Sequence, residues 1–554
     1  MSALTHGGTG LLLAYSCVVV PLWAALIRAR APVSRWLLGS LLAAPVTVVA
    51  GIVIALASPL LRRAGVVSDG LLQALFGAAV SAAVGYAGGL QLARGARSTA
   101  SYRRGAVVAD ARAAQLQSQP QPRAASTDAQ RVSDPGRPIT LAGMTIAAED
   151  ETKHFKFIGT TGTGKSTAIR EILSAALTRG DRAVIADPDG TYLSRFYDAR
   201  RGDVILNPFD PDSVKWNLLG ETATDQDVDQ LARSLIPDGG SDRSWSGYAR
   251  TFFTAVVQQA MAARTQDDRE IYRLITQASV KELQALLAGT AAGPFLDDAN
   301  ERMFGSVRSV TSSAVSALRY TTQQRAAPFS VRQWVREGAA VSSGGRGGVL
   351  FLPYKAGEIA ALRSAISAWM RMAIFEAMDR GEGDQRLWFV IDELDALGEI
   401  DGLKDALARL RKFGGRCVLG FQSISQVSST YGKGAADTIV ENCGNTLILR
   451  CSASEQGGTS QFASRLIGQR EVVHISRSQT RRPTDWLAST TTSEQRSIEP
   501  AIMASEIERL PDLEGFLKFA SIPDWRHLTL SYVTYPVVRP VTATQPSHEA
   551  KLST

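Results

Sequence analysis

The hydrophobic pattern splits the chain into two unlike parts. The first hundred residues carry three long uncharged runs, Gly8–Ile27, Trp36–Leu61 and Gly70–Ala93. Each is about the length that crosses ~30 Å of hydrocarbon. Arginines follow each run: Arg28, Arg30 and Arg35, then Arg62 and Arg63, then Arg94, Arg97, Arg103 and Arg104. The first run lacks the basic start of a cleaved signal peptide, and further runs follow it. Residues 1–97 therefore read as a retained anchor of two or three transmembrane helices. Three spans put the Arg28–Arg35 loop and everything after residue 94 on the cytoplasmic side, where basic loops are favoured. Residues 98–138, rich in Ala, Gln, Ser, Pro and Arg, show no apolar period and read as a linker.

Beyond residue 138 short apolar runs alternate with amphipathic stretches, which predicts an α/β fold with a parallel sheet. Strands are expected at 155–158, 348–354, 387–391 and 416–421, with a helix from the Gly-rich turn to about Leu177 and another over 402–413. Between Thr222 and residue 330 the period is helical throughout, as in DVDQLARSLI and GYARTFFTAVVQQAMAA. That predicts an all-α domain (222–330) dividing a nucleotide-binding domain into parts 139–221 and 331–536. His474–Ser497, Ser/Thr/Arg-rich without period, reads as a surface loop. Residues 537–554 read as a disordered tail.

The strongest chemical signal is G-x-x-x-x-G-K-S between the strand at 155–158 and the following helix. Backbone N–H groups converge on a phosphate only where glycine permits close approach, and the helix N-terminus adds partial positive charge. Gly159, Thr160, Thr161, Gly162, Thr163, Gly164, Lys165, Ser166 and Thr167 are the candidate ATP-binding residues. Lys165 is placed to reach the β- and γ-phosphates and Ser166 to ligate Mg2+. The run LWFVIDELDAL then puts Asp392 and Glu393 at the C-terminal end of a buried strand, where open α/β sheets bind ligands. Asp392 is the candidate Mg2+ ligand and Glu393 the residue that polarises the attacking water. Gln422 ends the next strand and suits a γ-phosphate sensor. Arg411, just before Gly414 and Gly415, either caps its own helix or acts as an arginine finger on a neighbouring subunit.

Composition changes this picture little. The chain has 554 residues and a formal charge of +7, a weak lean towards nucleic acid or anionic membrane. Cys17, Cys417, Cys443 and Cys451 form no CxxC pair, and the five His residues have no ligand spacing, which argues against a zinc site or a disulfide framework.

Across about residues 135–535 the chain resembles the type IV coupling proteins of bacterial conjugation, of the TraD/TrwB type. The resemblance rests on GTTGTGKS, VIADPDGTYLSRFYD, DVILNPFDPDSVKWNLLGE with Trp216, DELDAL, LRKFGG, LGFQSISQVSSTYG and EIERLPDLEGFLKFA, in that order. It implies a RecA-like P-loop NTPase domain interrupted by an all-α domain, assembled as a homo-hexamer around DNA and anchored in the bacterial inner membrane. It also places Arg411 at the arginine-finger position. The implied activity is an ATPase translocating DNA, with a relaxase as partner and a type IV secretion channel as destination. A membrane DNA pump of the FtsK/HerA kind and a nucleotide-gated substrate receptor are the alternative readings. The family shows two spans where three apolar runs stand here.

Overall fold

The computed structural model describes residues 2–28, 36–45, 47–48, 70–94, 100–110, 136–238, 243–265, 267–338, 348–379, 381, 386–454, 457–480 and 489–540. Two compact units result, Met1–Arg104 with Glu471–Ile498, and Gly105–Arg470 with Glu499–Thr554.

In the first unit, α1 (Ser2–Arg28) lies against α2 (Gly70–Arg94). Their close approach is set by glycine. A Cβ at Gly85 would collide with Val18 O, and one at Gly89 would stand 2.6 Å from Leu22 O. This is the small-xxx-small spacing that lets two helix backbones meet. Among the described residues no helix is long and apolar enough to cross a membrane. The described side chains of α1 begin only at Tyr15, and most of the Trp36–Leu61 run lies outside the described residues.

Three sequence expectations are corrected. The described parts of His474–Ser497 are not loop: Gln469–Thr480 and Ser489–Pro500 are 12-residue strands in a three-stranded sheet with Ala100–Gly105, and residues 481–488 lie outside the described residues. Thr-rich, β-branched runs suit strands, but with polar residues on both faces they leave no alternation to read. Secondly, the linker contributes Ala100–Gly105 and the short strand Val108–Asp110, while its residues 111–135 lie outside the described residues. Thirdly, the start of the tail is fixed: Val538 N donates to Ser194 O at 2.8 Å, and Arg539 pairs with Asp210 at 2.7 Å. Residues 541–554 lie outside the described residues.

The second unit is built on a ten-stranded sheet. In chain order the strands are β1 (Val108–Asp110), β2 (Phe155–Ile158), β3 (Arg182–Pro188), β4 (Val204–Ile205), β5 (Val349–Tyr354), β6 (Leu387–Ile391), β7 (Gly415–Phe421), β8 (Asn445–Ile448), β9 (Glu514–Lys518) and β10 (Trp525–Thr529). Their spatial order is β1-β10-β9-β8-β2-β7-β6-β3-β5-β4. From β8 to β4 every pairing is parallel, and β9 runs antiparallel to both β8 and β10. Helices cover both faces of the parallel part, so β5, β6 and β7 are buried along their whole length; β5 and β6 read as unbroken apolar runs, and β7 is interrupted only by the buried Arg416.

Between β4 and β5, two neighbours in the sheet, the chain leaves to form a helical body. It includes α4 (Asp225–Leu235), α5 (Arg243–Ala262), α6 (Asp268–Thr276), α7 (Val280–Leu286) and α8 (Glu301–Ala314) around Phe252, Phe253, Val256 and Ile271. Its neck is closed by Lys215–Trp216 pairing with Pro328–Phe329 and by the buried Glu221. The Glu221 carboxylate accepts from Trp216 Nε1 on the outgoing chain and from Ser330 Oγ, Val331 N and Arg332 N on the returning one. Four donors on one buried carboxylate satisfy its lone pairs and fix the two crossings together.

Candidate functional site

The Gly-rich turn joins β2 to α3 (Lys165–Arg179) at the C-terminal edge of the sheet. Gly162 and Gly164 take φ of 80° and 120°, a region closed to most side chains, and Gly164 caps α3. The turn is tied to its neighbours through Gly159 N to Phe421 O, Thr160 N to Arg450 O and Thr163 O to Leu513 N. Its shape is therefore set by β7, β8 and the β9 approach together. Lys165 is buried and donates to Gly159 O at 2.5 Å and Thr160 O at 3.1 Å. Burial lowers its pKa, and the negative charges of Asp392 and Glu393 work against that shift.

Asp392 and Glu393 follow β6 directly. Asp392 Oδ2 accepts from Ser166 Oγ at 2.8 Å and from Tyr192 OH at 2.7 Å. Its other oxygen, Oδ1, is buried without a hydrogen-bond partner. An orphaned carboxylate oxygen beside a hydroxyl at a helix start is a donor set that fits Mg2+, which prefers hard oxygen ligands and keeps several waters. No cluster of three or more His, Cys, Asp or Glu side chains suited to a metal occurs among the described residues. Such a site would need the substrate's phosphates to complete it. Glu393 Oε1 accepts from Gln422 Nε2 at 2.5 Å, and Gln422 Oε1 accepts from Thr161 Oγ1 at 3.3 Å. Burial, then the charges of Asp392 and Asp395, raise the Glu393 pKa. A raised carboxyl beside a polar positioning group can accept a proton from water.

These side chains line one cavity of about 350 Å³, together with Thr167, Arg170, Asp512, Leu513 and Tyr532. Sequence reasoning missed Tyr192 and Asp187. Asp187, the last residue but one of β3, is fully buried and accepts from the backbone N–H of Tyr192 and Leu193. Burial raises its pKa to about 7; those N–H groups work against the shift, and Asp392 adds to it. It holds the turn that aims Tyr192 at Asp392. The only available signal was an Asp ending an apolar strand in ADPDGTY, as Asp392 ends another.

Arg411 is not brought to this cavity. It begins the turn between α9 (Leu403–Leu410) and β7, at the opposite, N-terminal edge of the sheet. The seven residues of β7 separate it from Gln422, on the order of 20 Å at ~3.3 Å per residue. Its guanidinium is exposed and makes no hydrogen bond or ion pair with the described residues. The turn itself is held from below. His154 Nε2 lies 2.9 Å from Leu407 O and so carries the proton, while Nδ1 accepts from Cys417 N at 3.1 Å. Burial pushes the His154 pKa down to about 4; the Leu407 bond works against that, and the charges of Arg411 and Arg416 add to it.

The family model described as the type IV secretion-system coupling protein DNA-binding domain matches residues 138–531. The coupling protein TraD of Escherichia coli (strain K12) is 31% identical over 409 residues, covering 73% of this chain and 56% of TraD. A conjugal transfer protein TraG of Escherichia coli is 24% identical, over 65% of this chain and 62% of TraG. The match thus spans less than two thirds of these relatives' own length. The solved structure of the conjugative coupling protein TrwBdeltaN70 superposes with a TM-score of 0.67 at 28% identity, over 79% of this chain and 96% of that one. TrwB in complex with ADP and Mg2+ gives 0.67 at 28%, over 81% and 99%.

Proposed function

We propose, since the chain belongs to the type IV secretion-system coupling protein family, that it is an ATPase that drives DNA into a type IV secretion channel during conjugative transfer. The observation that carries this is the pairing of Ser166 with Asp392 beside an orphaned Oδ1, with Glu393 and Gln422 at the same end of the cavity. The nucleotide and Mg2+ held by the solved relative TrwB support ATP and Mg2+ as its ligands.

In this reading the Gly159–Thr167 backbone cradles the phosphates, and Lys165 exchanges its two loop carbonyls for the β- and γ-phosphates. Ser166 and Asp392 hold Mg2+, which supplies charge neutralisation at the phosphates. Tyr192 and Ser166 orient the Asp392 carboxylate. Glu393 takes a proton from the attacking water, and Gln422 fixes Glu393 while feeling the γ-phosphate through Thr161. Arg411, remote from its own cavity, reaches the cavity of the next subunit of a hexameric ring, so each site is completed in trans. The uncharged runs before residue 94 and their flanking arginines support an anchor in the bacterial inner membrane, with a relaxase carried in alongside its DNA.

The test is ATPase activity of the full chain with and without DNA across a salt series. DNA threading the ring is expected to raise turnover, and the stimulation to fade with salt as phosphate contacts release counterions. No stimulation, or stimulation indifferent to salt, would favour a nucleotide-gated receptor over a translocase.

A further inference from the structure

The turn that carries Tyr192 is held from both ends. Asp187 accepts from Tyr192 N at 3.0 Å and from Leu193 N at 2.7 Å, and Asp189 N donates to Tyr354 O at 2.8 Å. Asp189 and Gly190 take φ of 56° and 63°, left-handed values that reverse the chain just after β3. The reversal leaves the Tyr192 ring fully buried, with its hydroxyl 2.7 Å from Asp392 Oδ2.

Beyond Tyr192 the chain enters a helix of only four residues, Leu193–Phe196, too short to be stable by its own hydrogen bonds. The far end of the chain holds it. Residues 530–540 form no helix or strand, but Val538 N and Arg539 N donate to Ser194 O at 2.8 and 3.2 Å. Arg195 Nη1 donates to Tyr535 O at 2.6 Å, and the Tyr535 ring lies 5.1 Å from that of Phe196. Arg539 anchors this strap by pairing with Asp210 and Asp212, both at 2.7 Å, in the loop after β4. Arg539 and Asp210 are each 12% exposed, so the pair is better shielded from water than a surface one. Ser194, Arg195 and Phe196 thus rest on a segment some 340 positions later in the chain.

We propose that Arg539 and Tyr535 are positioning residues for the Mg2+ site, acting on Asp392 through the Leu193–Phe196 helix and Tyr192. The proposal rests on the nucleotide reading above. Asp392 Oδ2 has two donors, Ser166 Oγ and Tyr192 OH. Ser166 is shared with the Mg2+ of that reading, whereas Tyr192 is no ligand in it and goes on holding Asp392. A carboxylate ligand oriented by such an outer donor needs no reordering when the metal arrives. Tyr192 can do this only while its own backbone is held, and the strap supplies one of the two supports. Freeing the strap therefore loosens the Mg2+ ligand and leaves the phosphate loop as it was. Tyr535 also reaches α3, through its hydroxyl to Arg170 O at 3.4 Å, so Arg539 is the cleaner residue to vary.

The test is calorimetric and needs no turnover: ADP binding to the full chain in EDTA, then Mg2+ titrated into the ADP complex. Tyr192→Phe is expected to raise the Mg2+ midpoint ~10–100-fold, the scale of a lost outer partner of a metal ligand. Arg539→Ala should raise it about tenfold, at the low end of that range, and Arg195→Ala should act in the same direction. Arg539→Lys, which keeps a cation for Asp210, should restore the midpoint. Combining Tyr192→Phe with Arg539→Ala should add little to Tyr192→Phe alone, because both act on one bond. ADP affinity in EDTA should stay at the wild-type value throughout, and a melting curve checks that each variant is folded. A wild-type Mg2+ midpoint in Arg539→Ala overturns the proposal. So does equal loss of ADP with and without Mg2+, or a double variant that shifts by the product of the two singles. A wild-type chain that binds no ADP, or binds it without response to Mg2+, overturns the nucleotide reading and this proposal with it.

Discussion

The two edges of the parallel sheet treat charge in opposite ways. At the N-terminal edge, Glu151 accepts from Arg179 at 2.7 and 2.8 Å and from Arg416 at 2.8 Å. Asp181 accepts from Arg179 and from Trp388 Nε1, and Arg416 also donates to Gly414 O. Two carboxylates meet two guanidiniums with every charge answered inside the fold. At the C-terminal edge Asp392, Glu393 and Asp395 gather around Lys165 with Asp187 beside Asp392, and both Asp392 Oδ1 and Asp395 Oδ1 lack partners among the described residues. A buried charge left unanswered is costly unless something else supplies the answer. One edge is closed upon itself; the other is left short of cations, which in the proposed reading a metal ion and a neighbour's arginine would provide. Arg411 stands on the closed edge, exposed and unpaired among the described residues, so this cation and the deficit lie at opposite edges of one sheet.

The hardest test of that contrast is Arg411→Ala. It should leave nucleotide binding intact and slow turnover ~10³-fold or more, the scale of arginine fingers. Lys165→Ala has the complementary defect, with no working loop but an intact Arg411. Mixed together, the two variants should regain DNA-stimulated activity that neither has alone, and dilution should abolish it. No recovery in mixed assemblies of confirmed size would leave Arg411 as a cap for its own helix.

A smaller loss is expected at the open edge itself. Glu393→Gln keeps the shape and the contact with Gln422 but removes the proton acceptor. Turnover should fall ~10²–10⁴-fold while ATP still binds. Near-normal turnover in the purified variant would show that the strand ending in Asp392 and Glu393 does not carry the reaction.

What could be read from the chain follows the same division. The phosphate loop and the Asp392–Glu393 pair are local patterns: a glycine spacing after an apolar run, and acids where another apolar run stops. The structure brings them, with Gln422, into one cavity. Asp187 and Tyr192 escaped because their role depends on β3 lying beside β6, a pairing between residues some two hundred positions apart. The closed edge was illegible for the same reason, since Glu151, Arg179 and Arg416 come from three separate elements. The strands at 469–480 and 489–500 were hidden by polar residues on both faces. Each of these is fixed by long-range contacts that leave no local trace.

At the closed edge, Glu151→Gln should leave the two guanidiniums short of a charge. Removing one partner of a buried ion pair costs ~3–5 kcal/mol, so melting should fall by several degrees with ATP affinity unchanged. A variant as stable as the wild type would mean that this edge is not held by its charges.

The pH dependence of that same difference is the finest test. Burial pushes the Glu151 carboxyl up, but the hydrogen bond from Arg179 and the charge of Arg416 outweigh it and leave the pKa below the ordinary 4.5. A carboxyl whose folded pKa lies below its unfolded one contributes stability that is fully present above the unfolded value. That contribution is lost as pH falls through the folded value, because the folded state must then take up a proton against its arginines. The melting gap between wild type and Glu151→Gln should therefore hold constant from pH 8 down to about 5. It should narrow below 4.5, where the wild-type carboxyl begins to resemble the neutral amide. The gap should not close by a loss of stability in the variant, whose residue 151 has no proton to gain. Equal slopes for the two proteins through this window would show that Glu151 holds Arg179 and Arg416 by shape and hydrogen bonding, with its charge contributing nothing to the closed edge.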